Sequence, residues 1–167
     1  EKSKRPVILA GSGIAISNTQ TDLKKFVNKL SIPVVTAWAH DIFSNHDKFY
    51  FGRQGSIGNR VGNFVVQYAD LVIILGSRLS IRQTSYNWKS FAKNAFIVSV
   101  DIDPYELNKN LVKIDYKIKS DLRDFFFNFN KIKVEIKNKK NILKWIDWIN
   151  WCNFIKKEFT PKIEDYK

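Results

Sequence analysis

The stretch Tyr50–Gln83, YFGRQGSIGNRVGNFVVQYADLVIILGSRLSIRQ, constrains the fold more than any other part of the chain. It holds five of the seven glycines: Gly52, Gly55, Gly58, Gly62 and Gly76. From Val61 to Leu75 an amphipathic run gives way to a wholly apolar one. Val61, Phe64, Val65 and Tyr68 recur at i, i+3, i+4 and i+7, one face of a helix. Leu71 to Leu75 has no polar face and reads as a strand covered on both sides. Gly76 ends that strand, and Arg78 and Arg82 follow within one loop. A glycine-rich loop, a helix, a buried strand and a second glycine turn with forked cations describe a doubly wound sheet whose strand ends meet a phosphate-bearing ligand.

The flanking sequence supplies the rest of such a sheet. Pro6 to Ala10 is a short apolar strand, and Gly11-Ser12-Gly13 turns out of it. A helix follows with Leu23, Phe26, Val27 and Leu30 on one face, capped by Asn18 or Thr21. Pro33 to Thr36 is the second strand, and the βαβ unit so formed is expected to cross over right-handed. The Gly11-x-Gly13 turn looks like the start of a dinucleotide fingerprint. The third small position is Ile16, however, and no Asp or Glu closes the second strand at Val34 to Ala37, which argues against an ordinary NAD-type site.

Phe49 to Phe51 reads as a short strand and Tyr86 to Lys93 as a short helix with Trp88, Phe91 and Ala92 inward. Phe96 to Val100 is an apolar strand ending in Asp101-Ile102-Asp103-Pro104. A carboxylate at the end of a parallel strand is placed to bind ribose hydroxyls, a role that falls to Asp101, because Asp103 ahead of Pro104 reads as a helix cap. Asp115 to Ile118 is the last strand. A helix capped by Ser120 or Asp121 follows, with Leu122, Phe125, Phe126 and Phe129 on one face. Lys131 to Lys140 is a basic linker. Beyond it Ile142, Trp145, Ile146 and Ile149 share a face that Trp148, Trp151 and Phe154 widen, so this helix must pack on the domain or on a neighbour. The whole is a three-layer α/β fold: a mostly parallel, six-stranded Rossmann-like sheet with helices on both faces, plus a C-terminal helix.

Charge has to be weighed against this reading, because the chain carries a formal +12. Of its 28 basic residues 22 are lysines, spread over helix faces and the tail, and only six are arginines. Four of those six, Arg53, Arg60, Arg78 and Arg82, lie in the glycine-rich stretch. Arginine is the residue suited to bidentate phosphate recognition, so the arginines and not the net charge mark the site, and nucleic acid is not the expected partner. The His40-Asp41 and His46-Asp47 pairs lack further ligands, and no metal site is expected. The lone Cys152 reads as a small buried hydrophobe; with no apolar run of membrane-spanning length, a reducing cytoplasm is the expected location and a membrane is not an expected partner. The absence of methionine reads as a piece of a larger or processed protein.

Taken together, GSG at Gly11 to Gly13, GRQGSIGNRVGNFVVQYADLVIILGSRL at Gly52 to Leu79, RQTSYNW at Arg82 to Trp88 and VDIDPYEL at Val100 to Leu107 resemble the central domain of acetolactate-synthase-type, thiamine-diphosphate-dependent enzymes. The resemblance implies that residues 1–130 form that central domain and that residues 131–167 form a linker and helix leading toward a C-terminal cofactor-binding domain. It further implies thiamine diphosphate and magnesium held between two outer domains, the N- and C-terminal domains of the same polypeptide as partners, and a homo-oligomer at full length. No GDG metal motif occurs here, so the fragment alone is expected to be inactive and to have no catalytic residue of its own. FAD or ADP is the nucleotide implied for this domain. The matching positions are Gly11, Ser12, Gly13, Thr36, Ala37, Gly52, Arg53, Gly76, Arg78, Arg82, Asp101, Ile102, Glu106 and Asp121. Two departures stand out: Ser80-Ile81 occupies the place of an acidic pair between the arginines, and Arg53 that of an uncharged residue. A free-standing nucleotide-binding module of sirtuin-like fold is the alternative.

Overall fold

Five consecutive buried residues place Pro6–Ala10 at the centre of the sheet, since a strand with no exposed side chain needs cover on both faces. The computed structural model describes residues 3–37, 42–132 and 145–161. The His40-Asp41 pair, most of the 131–140 linker and Ile142 lie outside them. Among the described residues the strands are β1 (Pro6–Ala10), β2 (Val34–Thr36), β3 (Tyr50–Arg53), β4 (Leu71–Leu75), β5 (Phe96–Asp101) and β6 (Tyr116–Lys119). They form one sheet in the order β3-β2-β1-β4-β5-β6, and every pairing is parallel. The expected six-stranded, three-layer architecture is therefore present.

The helices are α1 (Gly13–Ile16), α2 (Gln20–Leu30), α3 (Arg60–Tyr68), α4 (Ile81–Thr84), α5 (Pro104–Asn108), α6 (Leu122–Lys131) and α7 (Ile146–Phe159). Two hydrophobic cores flank the sheet. One joins Val7, Leu9, Val72 and Ile74 to Val61, Val65 and Val66 of α3. The other joins Ile8, Ala10 and Leu75 to Leu23, Phe26 and Val27 of α2 and Leu122 and Phe126 of α6. Phe26 anchors the second by meeting Phe125, Phe126 and Phe129 edge-on, at centroid distances of 5.9, 5.6 and 4.5 Å.

Local chemistry sets the helix starts. The Asn59 side chain accepts from Gly62 N–H, Asp103 from Tyr105 N–H and Asp121 from Arg123 N–H, so each caps its helix. Three expectations need correction. Tyr86 to Lys93 forms only a 3₁₀ turn at Trp88–Ser90, because left-handed backbone at Ser85 and Ala92 breaks a longer helix; Phe91 and Ala92 are buried, Trp88 only half so. Arg82 lies in α4, not in a loop. Thr19 is the N-cap residue of α2.

The face of α7 is also rotated from the expected one. Trp148, Ile149, Cys152 and Ile155 are buried, while Ile146 is exposed. The indole explains the rotation: Trp148 Nε1 donates to the Pro6 carbonyl at 2.9 Å, so its one polar atom is satisfied where its ring system fills the core. The helix lies against α3 and β3 and contributes to both cores. Lys156 extends from it to the sheet edge, donating to the carbonyls of Asn45 at 2.7 Å and Tyr50 at 2.8 Å. Burial draws the Lys156 pKa down, against the opposing pull of Asp47. Burial also pushes the Cys152 thiol far up, which leaves it a packing residue. Among the described residues no helix is long and apolar enough to cross a membrane.

Two outcomes follow from this packing. Trp148→Ala is expected to cost about 3–5 kcal/mol in chemical denaturation, whereas Phe154→Ala, at a residue 58 % exposed, is expected to stay within about 0.5 kcal/mol. Asp70 ties the N-terminal segment to the sheet by accepting from Ser3 Oγ, Lys4 N–H and Arg5 N–H at 2.6, 2.8 and 2.8 Å. Burial alone would raise its pKa, but these bonds outweigh burial and hold it below the ordinary 3.8. Its contribution is complete above the unfolded-state pKa and is lost as pH falls through the lower folded value. Thermal unfolding across the acid range is therefore expected to show a loss of stability that Asp70→Asn flattens.

Candidate functional site

Parallel pairing brings the turns after β1 and β4 side by side. The two strands pair from Pro6↔Leu71 to Ala10↔Leu75, and β2 lies on the far side of β1. The chain thus leaves β1 in one direction and returns through β4 in the other, which makes the β1/β4 boundary the topological switch point where doubly wound sheets hold their ligands. The turns meet through backbone. Gly13 N–H donates to Gly76 O at 2.9 Å, Gly11 N–H to Leu75 O at 2.9 Å and Gly76 N–H to Val100 O at 2.9 Å. A Cβ on Gly11 would stand 2.2 Å from the Gly76 carbonyl oxygen, so only glycine allows this approach.

These glycine amides are consumed by the fold. By contrast, the N–H groups of Ser12, Ser77 and Arg78 find no acceptor among the described residues. Those three residues line a cleft of about 340 Å³ together with Ala37, Ser80, Ile81, Arg82 and Gln83. Ser12, Arg78 and Arg82 are exposed there, whereas Ala37 and Gln83 are buried. The volume falls in the range of small-molecule sites, roughly 300–1,000 Å³. Two guanidinium-bearing residues and three unpaired N–H groups suit a phosphate or pyrophosphate, with Ala37 and Ile81 as the apolar part of the wall.

The structure therefore gathers four of the sequence-derived residues, Ser12, Ala37, Arg78 and Arg82, onto one cleft, with Gly11, Gly13 and Gly76 packed in its supporting turns. The others lie off its wall. Thr36 is buried with its hydroxyl 3.1 Å from Tyr50 Oη. Gly52 lies inside β3 and packs on the Asn59 side chain, and Arg53 is exposed at the end of that strand. Asp101 uses Oδ1 to accept from Asp103 N–H at 3.0 Å, and Ile102 is exposed beside it. Glu106 pairs with Lys109, whose ammonium also donates to the Arg78 carbonyl. Asp121 pairs with Arg123 at 3.0 Å; the hydrogen bonds from Arg123 hold its carboxyl below the ordinary carboxylate value.

Sequence reasoning missed Ser77, Gln83 and Gln54. Ser77 could have been found as the counterpart of Ser12, since each follows the glycine that ends its strand. The two glutamines carry no sequence signal, because what distinguishes them is burial. A wider cleft of about 500 Å³ opens between the Trp88–Ala95 segment and the Lys109–Asp115 loop. It contains none of the strand-end turn residues, and its Lys109, Lys113 and Lys117 already bond Glu106, Asp115 and Asn108. The smaller cleft is the better site. Among the described residues no group of three metal-ligating side chains occurs.

An all-parallel, doubly wound sheet with an arginine-bearing cleft at its switch point places the chain in the class of Rossmann-like α/β domains. Within that class it belongs to the thiamine pyrophosphate enzyme central-domain family, whose model matches residues 1–127. The chain is 35 % identical over 173 residues to the probable acetolactate synthase large subunit of Methanococcus aeolicus, a match covering 98 % of this chain and 28 % of the relative. It is 36 % identical over 150 residues to the corresponding probable subunit of Methanocaldococcus jannaschii, covering 87 % and 25 %. It is 40 % identical over 122 residues to the acetolactate synthase large subunit of Lactococcus lactis subsp. lactis, covering 72 % and 21 %. The matched region thus amounts to 21–28 % of the length of these relatives.

The zipped turns make a stability test. Gly11→Ala forces a Cβ against the β4 turn and is expected to destabilise by at least about 1–3 kcal/mol. Ser12→Ala, one residue away at an exposed side chain, is expected to leave the denaturation midpoint nearly unchanged.

Proposed function

We propose that the chain is the central domain of an acetolactate-synthase-like enzyme that depends on thiamine diphosphate and magnesium and acts on 2-oxo acids by carboligation or decarboxylation. In this reading thiamine diphosphate, held by domains outside this chain, supplies the electron sink for the chemistry. The residues described here contribute binding and assembly, and the domain alone is inactive. Its cleft holds the phosphates of an adenine nucleotide, FAD or ADP. Arg78 and Arg82 complement the charge, the N–H groups of Ser12, Ser77 and Arg78 donate to phosphate oxygens, and the remaining oxygen of Asp101 is available to a ribose hydroxyl. One observation carries the reading: the unpaired donors and both arginines converge at the switch point of the sheet.

The test has two arms in the full-length protein. Titration with ADP and FAD is expected to give saturable binding. Arg78→Ala and Arg82→Ala are each expected to raise the dissociation constant by about 10–100-fold, the worth of a hydrogen bond to a charged group. Lys24→Ala, on α2 with its ammonium over the Phe43 ring, is expected to leave it unchanged. Equal losses from all three would place the nucleotide elsewhere. In the second arm, pyruvate consumption is expected only with both thiamine diphosphate and magnesium present; turnover indifferent to both would overturn the assignment.

A further inference from the structure

The turn that carries Arg78 is not held by the sheet. Between Gly76 and Ile81 no residue belongs to a strand or helix, and Leu79, with its side chain 2 % exposed, adopts φ of +48°. A buried, branched residue in left-handed backbone is strained, and such strain persists where the surroundings over-determine it. Here they do so largely through one amide. Gln83, 7 % exposed, accepts through Oε1 from Ser80 N–H at 3.0 Å and from the Ser77 hydroxyl at 3.2 Å, and Nε2 reaches Ser77 Oγ at 3.0 Å. Its side chain therefore spans the turn from first residue to last.

A second amide braces the first from the neighbouring loop. Gln54, 6 % exposed at the end of β3, donates through Nε2 to the Gln83 carbonyl, and its Oε1 has no partner among the described residues. A leucine would fill that space without burying an unpaired carbonyl, so the bond to Gln83 is what the amide contributes. Beside it Ser56 N–H donates to Arg82 O at 2.7 Å, and Gly55, at φ +117°, passes so close that a Cβ would lie 2.7 Å from that same oxygen. The Gln54–Ser56 loop is thus fastened to α4 at two successive carbonyls, those of Arg82 and Gln83.

We propose that Gln83, braced by Gln54, is the positioning residue of the arginine cleft. From its buried place in the cleft lining it holds the strained Ser77–Ser80 turn in the shape that puts Arg78 and Arg82 on one wall. The nucleotide arm of the test rests on the proposed function, and the proteolysis arm does not.

The experiment compares the full-length protein with Gln83→Leu, Gln54→Leu and the milder Ser77→Ala, which keeps a test available if a glutamine variant fails to fold. Phe126→Leu, in the opposite core, serves as the destabilised control. Trypsin cuts after arginine, so the Arg78–Leu79 and Arg82–Gln83 bonds report directly on the turn. In the three strut variants both bonds are expected to be cut about tenfold faster or more, with cleavage after Arg123 at the parental rate. The ADP dissociation constant is expected to rise about tenfold. Phe126→Leu is expected to change neither the cleavage rates after Arg78 and Arg82 nor the ADP dissociation constant. Parental cleavage rates at Arg78 and Arg82 in the folded strut variants overturn the proposal. So does faster cleavage with unchanged ADP affinity in a parent that binds, since the turn would then be held for stability alone. A parent that binds neither ADP nor FAD, with cleavage still accelerated in the variants, overturns the nucleotide reading and leaves the strut in place.

Discussion

The structure depends on the pairing of β1 with β4. Two apolar strands lie side by side in parallel register, and parallel pairing requires the chain between them to travel out and back across the sheet. That excursion is residues 11–70, and it creates a switch point with two turns in contact. Because the turns approach through backbone, the amides of Gly11 and Gly13 donate to the Leu75 and Gly76 carbonyls, while the Gly76 amide donates to Val100 in β5. The donors left over belong to the serine and arginine residues that follow. The cleft is thus a consequence of the central pairing, with chemistry set by the residue after each strand-terminating glycine.

The sheet was legible in the sequence because its strands are runs of β-branched and apolar residues between glycines, prolines and caps. Leu71–Leu75 shows this best: a five-residue run with three β-branched residues, bounded by Asp70 and Gly76, has the length and flanks of a buried strand. Asp103 and Asp121 announced helix starts through side chains that compete for backbone N–H groups. Shorter elements were not legible. The four residues of α4 span barely one helical turn, too few for a period, so Arg82 read as loop. The face of α7 was misjudged because periodicity treats tryptophans as interchangeable, while the Pro6 carbonyl selects Trp148. Gln54 and Gln83 escaped because burial of a lone amide is a tertiary property with no local pattern.

Net charge is a poor guide to the candidate cleft for a related reason. The lysines that approach the body of the domain are engaged close to home: Lys156 with sheet-edge carbonyls, Lys109 with Glu106 and the Arg78 carbonyl, Lys113 with Asp115. A flexible ammonium satisfies whichever acceptor is nearest. Arg78 and Arg82 come together at a cleft because a turn and a single helical turn fix their backbones.

The acidic residues complete this asymmetry. Asp101 closes its own turn with one oxygen, Glu106 is paired with Lys109, and Asp121 both caps α6 and holds Arg123. Each carboxylate at the β5 and β6 end already has a structural partner, whereas the β1 and β4 end keeps donors without acceptors. On the proposed reading a ligand gains new hydrogen bonds most readily from the backbone N–H groups of Ser12, Ser77 and Arg78, which have no acceptor among the described residues. At the β5 and β6 end every polar contact competes with an existing one, except through the second oxygen of Asp101. If the proposed nucleotide occupies the cleft, its recognition is anchored on the anionic part, and discrimination among its other parts falls to a cleft shape that Gln83 and Gln54 are proposed to hold.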